Sequence, residues 1–160
     1  MVNKMKRFGV VVLTVLFSVS SLFANTTTQS AIEDLDSEDV AKVIAAADFL
    51  GSEKEAKKSA SAVPKLSERT THADSKVRVH SVIALGNIAK DLKENEEAVV
   101  ALSAVLTNEK IAEVRYAALL AAIKIDAKKF EDTLKQISET EEDPIIKDLL
   151  SKIEEKSSKK

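Results

Sequence analysis

Two stretches of this chain lie over one another residue for residue. VRVHSVIALGNIA (77–89) set above VRYAALLAAIKID (114–126) matches Val77 to Val114, Arg78 to Arg115, Ala84 to Ala121 and Ile88 to Ile125, at an offset of 37 residues. The residues ahead of each stretch repeat as well, since AVPKLS (62–67) lies over AVVALS (98–103). A third copy, DPIIKDLLSKIEE (143–155), carries Ile146-Lys147 in place of Val-Arg. A degenerate copy, VAKVIAAADFLG (40–51), keeps Val40 and Ala47 in register, with Ala41 in the place of the Arg. This self-similarity restricts the fold more than any other feature. A unit so short cannot bury its apolar side alone and must lean on its neighbours.

Within each copy the apolar residues fall at helical spacing twice, so each unit reads as two helices. The predicted helices are 38–50, 53–70, 75–91, 95–107, 109–125, 127–139 and 144–157. Start signals accompany them. Ser52 with Glu55 forms a capping-box pattern, and Asp74, Asn95 and Asn108 stand where caps are needed. Asp143-Pro144 puts a capping carboxylate before a proline at the first helical position. Pro64 either kinks the second helix or marks where its packed half begins. With three Gly and two Pro in 160 residues, few turns need special backbone angles, as an all-α chain requires.

D-x-x-V-R followed by A-L-G-x-I, after an A-V-P-x-L helix, resembles a HEAT repeat, most closely the short form called PBS-lyase HEAT-like. The residues that carry the likeness are Ala62, Val63, Pro64, Leu66, Asp74, Val77, Arg78, Ala84, Leu85, Gly86 and Ile88. The second copy keeps Val114, Arg115, Ala121 and Ile125 without the Asp or the Gly; the third keeps Asp143, Pro144, Ile146 and Lys147. The resemblance implies an α-α superhelix, a HEAT-like solenoid of about 3.5 helix pairs, spanning residues 37–157. It is flanked by a polar linker at 25–36, which can hold one short helical turn, and a basic tail at 158–160. In such proteins the repeated Arg commonly reaches an acidic turn residue of a neighbouring repeat. Arg78, Arg115 and Lys147 are thus expected to be structural, with Asp74 and Asp143 as their acceptors.

The first 24 residues have another purpose. A basic head (Lys4, Lys6, Arg7), an apolar stretch from Phe8 to Phe17 and a Ser-rich exit ending in Ala24 form a signal-peptide pattern. Cleavage is expected after Ala24; a retained membrane anchor is the alternative, although the apolar stretch is short for a span. The mature protein would be periplasmic or secreted, with no membrane association once the leader is gone. It has no Cys, hence no disulfide framework and no lipoprotein anchor.

Several function classes are excluded by composition. Lys+Arg (24) nearly balances Asp+Glu (26), and the mature chain holds only Phe49, Phe130 and Tyr116 as aromatics. Neither a basic excess nor a set of stacking platforms is present, so no nucleic-acid partner is expected. Gly51 and Gly86 stand too far apart for a phosphate-cradling loop. His72, Asp74 and His80 offer possible metal ligands, but a turn position and a capping role account for the first two, and no metal or cofactor is expected. Glu96-Glu97 and Glu141-Glu142 read as helix-start charges or solvated faces. No catalytic residue is assigned, and the chain is read as a non-enzyme.

A protein partner is the expectation that remains. At 100° per residue, Val79, Ile83 and Asn87 lie opposite the core stripe of their helix, with His80 at the edge. Their equivalents in the next copy are Tyr116, Leu120 and Lys124. The resemblance places second helices on the concave surface, so Val79, Ile83, Tyr116 and Leu120 would form an apolar patch there, rimmed by His80, Asn87 and Lys124. Alternatively the four apolar side chains fill the seam between neighbouring second helices. Two other functions fit less well: a metal- or cofactor-handling accessory protein of the PBS-lyase-like class, and a structural array assembling end to end.

Overall fold

A computed structural model describes residues 26–158, so the signal-peptide expectation lies outside the described residues. The helices are α1 (Thr28–Asp34), α2 (Val40–Leu50), α3 (Val63–Arg69), α4 (Ser75–Ala89), α5 (Glu96–Asn108), α6 (Ala112–Asp126), α7 (Glu131–Thr140) and α8 (Pro144–Ser158), with no strand among the described residues. Consecutive helices pack as pairs: α1 on α2, α3 on α4, α5 on α6 and α7 on α8. First helices stack on first helices (α3, α5, α7), and second helices on second helices (α2, α4, α6). One continuous apolar core runs from Ala31 in the first pair to Leu150 in the last. This is an all-α solenoid of the HEAT-like kind, in which each pair completes the core of its neighbour.

The first pair corrects the sequence reading. Residues 28–34, assigned to a polar linker, form α1, closed by a capping box between Thr27 and Ser30. Ala31 and Leu35 are wholly buried against α2. Two or three apolar residues in a polar run are enough for a two-turn helix when a waiting face supplies the rest of the burial. Among the described residues the array therefore has four pairs, the first of them short.

Other expectations changed at helix starts. The helix expected over 53–70 is α only from Val63 to Arg69, preceded by 3₁₀ turns at Ala56–Lys58 and Ala60–Ala62. Pro64 sits in the first turn of α3, where its missing N–H costs nothing, so it marks the beginning of the packed half. Ser52 caps nothing; its hydroxyl donates back to the Phe49 carbonyl. Asn95 precedes α5 without capping it, because its Nδ2 donates to the Ala89 carbonyl and its Oδ1 accepts from Lys129. Asn108 ends α5 instead of starting α6, bonding back to the Ala104 carbonyl. Asp74 and Asp143 do cap, each accepting two backbone N–H groups of the first turn that follows.

Candidate functional site

Each pair turns from its first to its second helix through the same local device. Two residues before the cap of the second helix, a side chain accepts the backbone N–H of the cap residue. Ser37 does this for Asp39, His72 for Asp74, Glu109 for Ile111 and Glu141 for Asp143, at 2.9–3.2 Å. His72 takes that role through Nδ1, which only a neutral imidazole with its proton on Nε2 can do.

The repeated Arg locks these turns together. Arg78 donates to the carbonyls of His72 and Ala73 in its own turn and, through Nε and Nη2, to both carboxylate oxygens of Glu109 in the next. Arg115 repeats the pattern, binding the carbonyls of Glu109 and Lys110 and both oxygens of Glu141 at 2.6 and 2.9 Å. The acceptors are therefore Glu109 and Glu141, not Asp74 and Asp143, whose carboxylates are taken by helix capping. Glu141, expected as a solvated charge, is buried in this ladder. The Arg115 hydrogen bond holds its carboxyl below the ordinary glutamate range against the opposing pull of burial. Burial also opposes ionisation of Glu109, and the bonds from Arg78 and the Ile111 N–H outweigh it, so its pKa is lowered too. Lys147, at the same position in α8, is exposed and makes no ion pair among the described residues.

Counting from the caps corrects the register of the first repeat. Asp39 and Asp74 are equivalent, which puts Val43, not Ala41, in the place of Arg78. Val43 is wholly buried, and the turn it would reach carries His72 where later turns carry Glu. By register, then, an apolar residue corresponds to a turn carrying His, and an arginine to a turn carrying Glu. No buried charge is left alone at either interface.

The second helices meet through small residues. A Cβ added to Gly51 would lie 2.6 Å from Ala84 Cα, and one added to Gly86 would lie 2.9 Å from Ala121 Cα. Such backbone approach is possible only because the glycines have no side chain. Hydrogen bonds run along the same seams: Asn87 Nδ2 donates to the Gly51 carbonyl, and Lys124 Nζ donates to Asn87 Oδ1. His80 Nδ1 lies 2.5 Å from Asp48 Oδ1 across the first of them. The polar rim expected from sequence is therefore already engaged between repeats.

The apolar members are placed differently. Ile83, Leu120 and Tyr116 stay 45, 44 and 36% exposed, and Val79 is partly buried against the core. Ile123, 39% exposed, stands beside Tyr116 and Leu120 on α6 and was missed by sequence reasoning. Its signal was present: it occupies the position of Gly86.

A family model described as HEAT repeats matches residues 28–122 and again 63–151, which together span most of the chain. This chain is a HEAT-repeat protein. Both matches cover the Arg78 rung and the Gly86–Ala121 seam, and the first begins at α1, where the structure adds a fourth pair. A search of curated proteins finds no match. HEAT repeats generally serve as non-catalytic helical scaffolds that mediate protein interaction.

Within this HEAT-repeat protein the candidate metal ligands are separated by function. His72 and Asp74 close a turn, and His80 faces Asp48 on α2. Among the described residues no three His, Asp or Glu side chains gather as a metal site needs, and no helix is long and apolar enough to cross a membrane.

Proposed function

We propose that this protein is an exported, non-catalytic HEAT scaffold that holds a protein partner on its second-helix surface, chiefly through Ile83, Tyr116 and Leu120. The observation that carries the reading is the repetition of exposure. Ile83 and Leu120 occupy equivalent positions on α4 and α6, and both remain in solvent although the core-facing residues of each helix, such as Leu85 and Leu119, are buried. Apolar side chains presented in register by a rigid array form a surface that a partner can cover without disturbing the core. Val79, His80, Asn87 and Lys124 border this surface and fix its shape through their bonds and packing between repeats. The caps at Asp39, Asp74, Ile111 and Asp143 are 35, 37 and 32 residues apart, which favours the short PBS-lyase-like form over the longer HEAT class. The exposed residues of α7 include Glu131, Asp132, Lys135, Gln136 and Glu139, a polar face that suits an end cap better than an assembly surface.

Affinity capture from the cell envelope tests the reading, with wild type beside a Tyr116→Ala, Leu120→Ala double variant of unchanged circular dichroism. Loss of one specific band in the variant is expected; identical captures overturn the proposal. The mature N-terminus should begin at Asn25, and a full-length envelope form would refute export by cleavage.

A further inference from the structure

The third seam between second helices is built unlike the first two. At the first, Gly51 meets Ala84, and at the second, Gly86 meets Ala121. Counted from the caps, the equivalent residues at the third are Ile123 on α6 and Ile153 on α8. Two branched side chains stand where a glycine met an alanine, so the backbones cannot approach as closely. In keeping with that, α8 touches α6 over a short stretch, whereas α4 and α6 lie alongside each other through most of their length. Lys156, the counterpart of Asn87 and Lys124, makes no side-chain hydrogen bond to α6.

The opposite edge of the same interface is firmly held. Arg115 clasps Glu141 with both carboxylate oxygens engaged, Lys129 ties to Asn95, and Phe130, Leu134 and Ile137 are buried in the core shared with α5. One edge is pinned by charge-assisted bonds and packed apolar side chains. Along the other, where the register sets Ile123 against Ile153, α8 meets α6 only over a short stretch, although its own Ile146 and Leu150 are buried in the core. A packed unit held along one edge has one soft motion, rotation about that edge.

We propose that α7 and α8 form a hinged terminal unit, pivoting on the Arg115–Glu141 pair so that α8 swings towards and away from α6 across Ile123 and Ile153. Closing covers Ile123 and the flank of Tyr116, and opening exposes them. The hinge stands whether or not that surface holds a partner.

The chain has no Cys, so pairs of spin labels can be placed without background. Lys128→Cys with Glu154→Cys reports across the third seam, and Lys90→Cys with Lys128→Cys across the second; all three side chains are exposed. Pulsed dipolar distances should give a broad distribution for the first pair and a narrow one for the second. Adding Ile123→Gly with Ile153→Ala, which restores the glycine–alanine contact, should narrow the first distribution and shift it to shorter distance. Ile123→Ala with Ile153→Ala serves if the glycine weakens α6, and circular dichroism checks the fold of each. Equal widths across the two seams in the parent chain would overturn the hinge, as would a third-seam distribution that neither replacement changes.

Discussion

The seams α4/α6 and α6/α8 differ although the same helix, α6, forms one side of both. Towards α4 it presents Ala121 to Gly86 and Lys124 to Asn87, and the two backbones close on one another. Towards α8 it presents Ile123, and the helices separate. Both interfaces nevertheless carry a complete arginine rung, Arg78–Glu109 and Arg115–Glu141. The rung thus sets how successive turns register, and the residue at the glycine position sets how far the second helices can close. A repeat array can vary curvature and mobility with the second device while keeping its register with the first.

Removing a rung should have the largest effect. Glu141→Ala leaves Arg115 without its buried carboxylate and should cost about 3 kcal/mol in urea unfolding. Glu109→Ala should cost less, because the glycine contact also supports that interface; equal losses would erase the distinction between the seams. Gly86→Ala comes next, at about 2 kcal/mol, since its new Cβ would meet the Ala121 backbone. Ile123→Ala, at the equivalent position, should cost about 1 kcal/mol or less because the site is half open.

Acid should attack the rungs. Glu109 and Glu141 both have lowered pKa values in the folded chain. A depressed carboxylate contributes stability that is present above its unfolded pKa and lost as pH falls through the folded one. The loss should begin below about pH 4, and Glu141→Gln should flatten the stability–pH profile there. The smallest effect concerns the rung the first interface lacks. Val43→Arg combined with His72→Glu should show a favourable coupling of about 1 kcal/mol in a double-mutant cycle. Zero coupling would mean that the first turn is not equivalent to the later ones.

Much of the architecture was legible in the chain. The Val-Arg repeat and the Asp-Pro start placed most second helices, and helical angle gave the side of α4 and α6 opposite the core stripe, but not whether that side stays in solvent or fills a seam. The ladder acceptors were not legible, because Asp74 and Glu109 are both acidic turn residues two positions apart in the repeat. Only the fold shows that one faces its own helix and the other the preceding arginine. The first helix was missed for a similar reason: Ala31, Ile32 and Leu35 are too few to announce a helix without the face of α2 beside them.

Periodicity is a local property, since side chains three and four apart share a face wherever a helix forms, and so the sequence alone determined that helices pair and recur. Whether a given pair of helices touches through glycine or stands apart on isoleucine depends on two residues some thirty positions apart meeting in space. That distance between neighbours, and with it which apolar side chains remain in solvent, was decided by the tertiary structure.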